Sequence, residues 1–141
     1  MIIFGWATIC ENELKKGEEH KWKIKILIAN SKKNIMVGIA PIDFDIHSSL
    51  YTCGWYLYCH TNYSNPVLYS GPPHNYSAKN TNLKKVNNEI IIIINMNKRT
   101  LKFIIDNEDK GDSYIDIPID KPLFPAVFLG YRYDTLEINE C

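Results

Sequence analysis

Asn88-Glu89-Ile90-Ile91-Ile92-Ile93-Ile94-Asn95-Met96-Asn97-Lys98-Arg99-Thr100-Leu101-Lys102-Phe103-Ile104-Ile105-Asp106 reads as a β-hairpin through the core. Five consecutive isoleucines are too few to span a bilayer, and their β-branched side chains suit a pleated surface. The run predicts a strand over Ile90 to Ile94 buried on both faces. After a polar turn from Asn95 to Arg99 with Met96 inside it, Leu101, Phe103 and Ile105 share one face while Lys102 and Ile104 take the other. The second strand is therefore covered mainly on one side. So apolar a hairpin needs other strands to shield it, because an exposed one would aggregate.

Outward from the hairpin, the strongest period-two signal is Trp22, Ile24, Ile26 and Ile28, directed to the core between Lys21, Lys23 and Lys25. Ile35 to Ala40 reads as a central strand whose Gly38 marks a close backbone approach. Gly54 to Cys59 and Val67 to Tyr69 are short strands between turn residues, and Ser113 to Ile117 is another. Leu123 to Leu129 is a core strand with Pro125 inside it, and Thr135 to Ile138 pairs at the end. Ahead of these, Ile2 to Ile9 reads as one peripheral strand, followed by the charged connector Glu11 to Glu19. The expected core includes Trp22, Ile24, Ile26, Val37, Ile39, Ile92, Leu101, Phe103, Phe124 and Val127. No segment has a helical apolar period, and short strands with frequent turns indicate an all-β antiparallel sandwich. A chain of 141 residues suits a single domain over 1–141.

Sixteen basic and sixteen acidic residues cancel, with no Lys/Arg stripe to track phosphates, so the expectation is no nucleic-acid partner. The start Met1-Ile2-Ile3-Phe4-Gly5-Trp6 lacks the features of an export signal. A cytoplasmic, intracellular protein with reduced thiols is expected, with no membrane partner and a monomeric isolated domain. Cys53, Cys59 and His60 lack the paired short spacing of a structural zinc site, the four cysteines Cys10, Cys53, Cys59 and Cys141 are expected to be reduced, and Asp106 to Asp112 is a poor calcium loop because Lys110 stands at a ligand position. Neither metal nor cofactor is expected. Acidic residues lie mostly in turns, with no nucleophile elbow and no phosphate-binding glycine loop, so the chain does not read as an enzyme.

Several motifs occur together in one order: Gly17, His20-Lys21-Trp22-Lys23-Ile24-Lys25-Ile26, Val37-Gly38-Ile39-Ala40, Gly54-Trp55, Leu68-Tyr69, Asn95-Met96-Asn97 with Thr100-Leu101-Lys102-Phe103, Gly111, and Pro122 to Val127. Their order resembles the SPRY domain family, from about residue 17 to the end, with residues 1–16 left as a peripheral strand and connector. Ile94-Asn95-Met96 and Arg99-Thr100 depart from the Leu-Asp-Met and Gly-Thr usual in that family, and a full upstream PRY segment is missing. The resemblance implies a bent, concanavalin-like sandwich serving as a non-catalytic module that binds a protein or linear peptide, as substrate-recognition or scaffold part of a larger protein. A carbohydrate-binding module of the same architecture is the alternative.

Charge is scarce from Met36 to Leu83, where six tyrosines accumulate among Ser, Asn, Pro and Gly, a mixture suited to adaptable contact surfaces. Trp55, Tyr56 and Tyr58 are expected to pack, whereas Tyr51, Tyr63 and Tyr76, flanked by small polar residues, are binding candidates. In relatives joined to SOCS boxes, the tyrosine of a Leu-Tyr pair and a Val-Trp-Gly segment hold peptides. The resemblance carries these over to Tyr69 and, more loosely, to Phe128 and Gly130. Tyr131 and Arg132 are residue types that often anchor interfaces, and Asp43 could pair with a basic ligand group. The segment after Ala40, the turn around Tyr63 and the segment after Val127 are expected to converge at one pole.

Overall fold

A computed structural model describes residues 2–4, 7–9, 13–28, 34–41, 54–60, 65–70, 77–78, 83, 85–129 and 135–140. These residues contain no helix. The strands are β1 (Ile2–Phe4), β2 (Ala7–Ile9), β3 (Glu19–Ile28), β4 (Asn34–Pro41), β5 (Trp55–His60), β6 (Val67–Ser70), β7 (Ser77–Ala78), β8 (Glu89–Asn95), β9 (Thr100–Ile105), β10 (Glu108–Asp109), β11 (Tyr114–Ile115), β12 (Leu123–Leu129) and β13 (Thr135–Glu140). They form two antiparallel sheets: an eight-stranded one in the order β1-β13-β3-β8-β9-β11-β7, with β10 on β9, and a five-stranded one in the order β2-β12-β4-β5-β6. The expected all-β sandwich is the observed architecture.

The hairpin of isoleucines, β8 and β9, occupies the middle of the larger sheet, with β3 pairing β8 from Glu19↔Asn95 to Lys25↔Glu89. Ile90, Ile92 and Ile94 are fully buried, as are Leu101, Phe103 and Ile105. Ile91 and Ile93 are only half-buried, so the run is not buried on both faces as its composition suggested. The reason lies in the partner strands. Ile91 stands opposite Lys23 and Ile104, and Ile93 opposite Lys21 and Lys102, so lysine stems flank them in place of a further layer. Two side chains fasten the hairpin's ends. Asn95 Oδ1 accepts the N–H groups of Asn97 and Lys98 at 3.0 and 2.8 Å, and the Asp106 carboxylate accepts those of Asn87, Asn88 and Glu89 at 2.7, 2.9 and 2.9 Å. Asp106 and Asn107 have φ of 46° and 68° between the paired Ile105 and Glu108, as a two-residue type I′ turn requires. Asp106 to Asp112 thus begins as a hairpin turn, in keeping with the sequence.

Alternate residues of the smaller sheet complete the core. Ile35, Val37, Ile39, Trp55, Leu57, Cys59, Leu123, Val127 and Leu129 cluster with the inward residues of the larger sheet. Tyr114 of β11 ties the two together: its hydroxyl donates to the Tyr56 carbonyl at 2.8 Å, and its ring meets Phe103 edge-on at 6.5 Å. Phe124 departs from expectation. Its neighbours Leu123 and Val127 set the inward phase of β12, which turns Phe124, Ala126 and Phe128 to the outer face. Pro125 is tolerated in an interior strand because β2 pairs β12 only over Ala126 to Phe128, leaving Pro125 just beyond that ladder.

The N-terminal run is two strands rather than one. β1 pairs β13 in the larger sheet and β2 pairs β12 in the smaller, so the segment joins an edge of each.

Candidate interaction surface

Cross-strand partners share a face, so the register fixes what the smaller sheet turns away from the core. Across β12, β4, β5 and β6 one outer row runs Phe128, Met36, Tyr58, Val67, and the next runs Ala126, Gly38, Tyr56, Tyr69. Met36, Ala40, Tyr56 and Ala126 form a second buried cluster there, with Tyr58 and Phe128 packed partly against it. Two glycines permit close packing here. A Cβ on Gly38 would lie 1.9 Å from the Trp55 carbonyl oxygen, and one on Gly54 would lie 2.7 Å from the hydroxyl end of the Tyr56 ring. The close approach expected at Gly38 is present, and Tyr56 lies flush over the space that Gly54 leaves.

Tyr69 is 38% exposed, in contrast to the buried Tyr56 beside it, and only Leu27 matches it as an exposed large apolar residue among those described. Its ring leans against Tyr58, with centroids 5.9 Å apart and planes at 52°. Tyr58 stands opposite Val67, so this is a diagonal cross-strand contact. Packing of Trp55, Tyr56 and Tyr58 agrees with the sequence reading: Trp55 faces the core, while Tyr56 and Tyr58 cover the outer face. No Asp, Glu, Lys or Arg occurs in β4, β5, β6 or β12.

Tyr69 and Phe128 are thus brought to one uncharged face, in adjacent rows and three strand spacings apart, roughly 14 Å. Asp43, Tyr51, Tyr63, Tyr76, Gly130, Tyr131 and Arg132 lie outside the described residues. The three segments expected to converge at one pole, after Ala40, around Tyr63 and after Val127, also lie largely outside them, and the strand ends that border them do not share one end of the sheet. Pro41 and Leu123 pair at one end of the smaller sheet, with Trp55 and Ser70 toward that same end. His60, Asn34 and Leu129 lie at the other. Antiparallel alternation allowed either arrangement, and the pairing order β12-β4-β5-β6 selects this one. The sequence reading did not single out Tyr58 and Met36 as parts of this surface. Period-two alternation in Ile35 to Ala40 and Trp55 to Cys59 contains that signal, once one face is assigned to the core.

Elsewhere several charged groups pair with one another. Lys102 Nζ donates to Asp109 Oδ2 at 2.9 Å, and the Gly111 N–H donates to Asp109 Oδ1 at 2.8 Å. Chiefly through the hydrogen bond with Lys102, the Asp109 carboxyl is held below its ordinary pKa, and the same bond raises that of Lys102. Lys110 pairs with Glu108 at 2.8 Å, and Arg99 lies 3.7 Å from Asp116. Among the described residues no cluster of His, Cys, Asp or Glu could hold a metal ion, and no helix is long and apolar enough to cross a membrane.

The sequence model of the SPRY domain matches residues 19–141. The chain belongs to the SPRY domain family. Such domains generally act as non-catalytic protein-interaction modules. Among solved structures it is similar to the SPRY domain of human HERC1, with 16% identity, TM-score 0.69, and coverage of 97% of this chain and 84% of that one. The TRIM65 PSpry domain is similar at 12% identity and TM-score 0.67, with 96% and 70% covered. A further human SPRY domain matches at 15% identity and TM-score 0.68, with 94% and 82% covered. At these identities the likeness is one of fold. No curated protein sequence matches the chain.

Proposed function

We propose that residues 1–141 form one module that binds a peptide or protein segment, with Tyr69 as its best-supported anchor. The observation that carries this reading is the exposure of Tyr69 on an uncharged outer face where Tyr56, Tyr58 and Phe128 are packed. A tyrosine already leaning on Tyr58 loses little side-chain freedom on binding, yet offers a broad ring and a hydroxyl. Phe128 supplies a second apolar position on that face. Asp43, Tyr51, Tyr63, Tyr76, Gly130, Tyr131 and Arg132 are proposed as loop contacts at the sheet's two ends.

The test begins with peptides selected on the full chain from a displayed random library. Alanine at Tyr69 or at Tyr131 is expected to weaken the selected peptide about fivefold or more, with the melting temperature retained. A library that yields no peptide, together with specific hits on a glycan array, would reject peptide binding in favour of a carbohydrate module.

A further inference from the structure

The edge of the smaller sheet is unlike the strands behind it. β6 pairs β5 through Trp55↔Ser70, Tyr56↔Tyr69, Leu57↔Leu68 and Tyr58↔Val67, and among the described residues no strand lies on its other side. An antiparallel strand sends its N–H and C=O groups alternately to its two sides, so half of those in Val67–Ser70 point away from β5. Soluble proteins usually blunt such an edge with a lysine, an inward charge or a bulge. None of these devices occurs in β6: Val67, Leu68, Tyr69 and Ser70 carry no charge, and the register with β5 is unbroken. The exposed Tyr69 sits within this row.

We infer that β6 accepts an extended, uncharged segment of a protein partner as a sixth strand of the smaller sheet, with the partner's backbone pairing Val67–Ser70 and one of its outward side chains packing on Tyr69. The inference rests on the peptide-binding reading above and specifies how the peptide is held. A row of alternating donors and acceptors is complemented by another extended backbone. Its length, four residues, allows a ladder of roughly 13 Å, which suits a short segment. The segment laid on β6 is uncharged because no Asp, Glu, Lys or Arg in β4, β5, β6 or β12 would compensate a charge desolvated beside Tyr69. Opposite Tyr69, an aromatic or β-branched residue gains a cross-strand contact. Alternation then directs every second partner side chain outward with Tyr69 and the others toward Leu68.

The experiment uses the full chain and a peptide selected on it from the displayed library. N-methyl groups are placed at each peptide amide in turn, removing a donor while keeping the side chains. Methylation at alternate positions is expected to weaken binding about fivefold to tenfold each, with the intervening positions nearly unaffected. Bound peptide is also expected to slow amide exchange at alternate residues of Val67–Ser70. Binding that depends on Tyr69 but tolerates every N-methyl group overturns the added strand while leaving the peptide-binding reading intact. If no peptide binds, both fail. A concentration-dependent dimer of the chain alone that protects the β6 amides overturns the choice of occupant, since a second copy then fills the edge.

Discussion

The two sheets turn different surfaces away from their common core. Outside the larger sheet, half-buried Ile91, Ile93 and Ile104 lie among Lys21, Lys23, Lys25 and Lys102, with Glu89 3.7 Å from Lys23 and Asp109 2.9 Å from Lys102. Outside the smaller sheet, Met36, Tyr56 and Ala126 are buried, Tyr58 and Phe128 partly so, Tyr69 is exposed, and charge is lacking. Lysine stems can shield isoleucine while keeping their ammonium groups in water, which makes the first surface soluble and poor at holding an apolar partner. Among the described residues, the second has no such cover at its edge. On the proposed reading, stability and recognition are separated: the isoleucine hairpin anchors the fold, and the tyrosine-bearing edge is the proposed contact.

The sharpest way to break this contrast is to place the same charge on both outer faces. Met36→Glu buries a carboxylate without a partner and is expected to cost about 3 kcal/mol. Ile93→Glu, set between Lys21 and Lys102, is expected to stay within about 0.5 kcal/mol. Urea unfolding of the two variants checks both, and equal losses would dissolve the distinction between the faces. Gly38→Ala comes next. Its new methyl meets the Trp55 carbonyl, so β4 and β5 must separate at an expected cost of about 2 kcal/mol, read as a lower urea midpoint.

Asp106→Ala probes the anchored hairpin instead. It removes the acceptor for three backbone N–H groups and is expected to cost about 1.5 kcal/mol, with faster amide exchange at Asn87, Asn88 and Glu89. The Lys102–Asp109 pair should matter least, because both side chains are partly exposed. Asp109's lowered pKa gives stability that is present above its unfolded value and lost as pH falls through the folded one. Lys102's raised pKa gives stability that is present below its unfolded value and lost as pH rises through the folded one. Lys102→Met should therefore flatten the stability profile by no more than about 0.5 kcal/mol, and only at its acid and alkaline ends, as measured by melting across pH.

Most of the fold was legible because period-two patterns are local. Trp22 and Ile24 among lysines, and Leu101 and Phe103 around Lys102, each name their face without help from another strand. Runs without alternation were harder. Ile90 to Ile94 looks the same in both directions, and its outward half is defined only by Lys21, Lys23 and Lys102 on neighbouring strands. Phe124 was placed on the wrong face because Leu123, Phe124 and Val127 leave two phases open within β12. Ile2 to Ile9 concealed a change of sheet, which depends on the distant partners β13 and β12 rather than on its own residues. For the candidate site, Tyr69 was accessible through its Leu-Tyr motif. The placement of strand ends at the two poles was not, because it follows from strand order, which no local pattern records.

The most direct measurement is the affinity of Tyr69→Ala for a selected peptide, taken together with its melting temperature. Separation of stability from recognition predicts at least about a fivefold loss of affinity with no fall in melting temperature. A variant that remains folded and binds the peptide as tightly as the unaltered chain would contradict the assignment of recognition to the β6 edge.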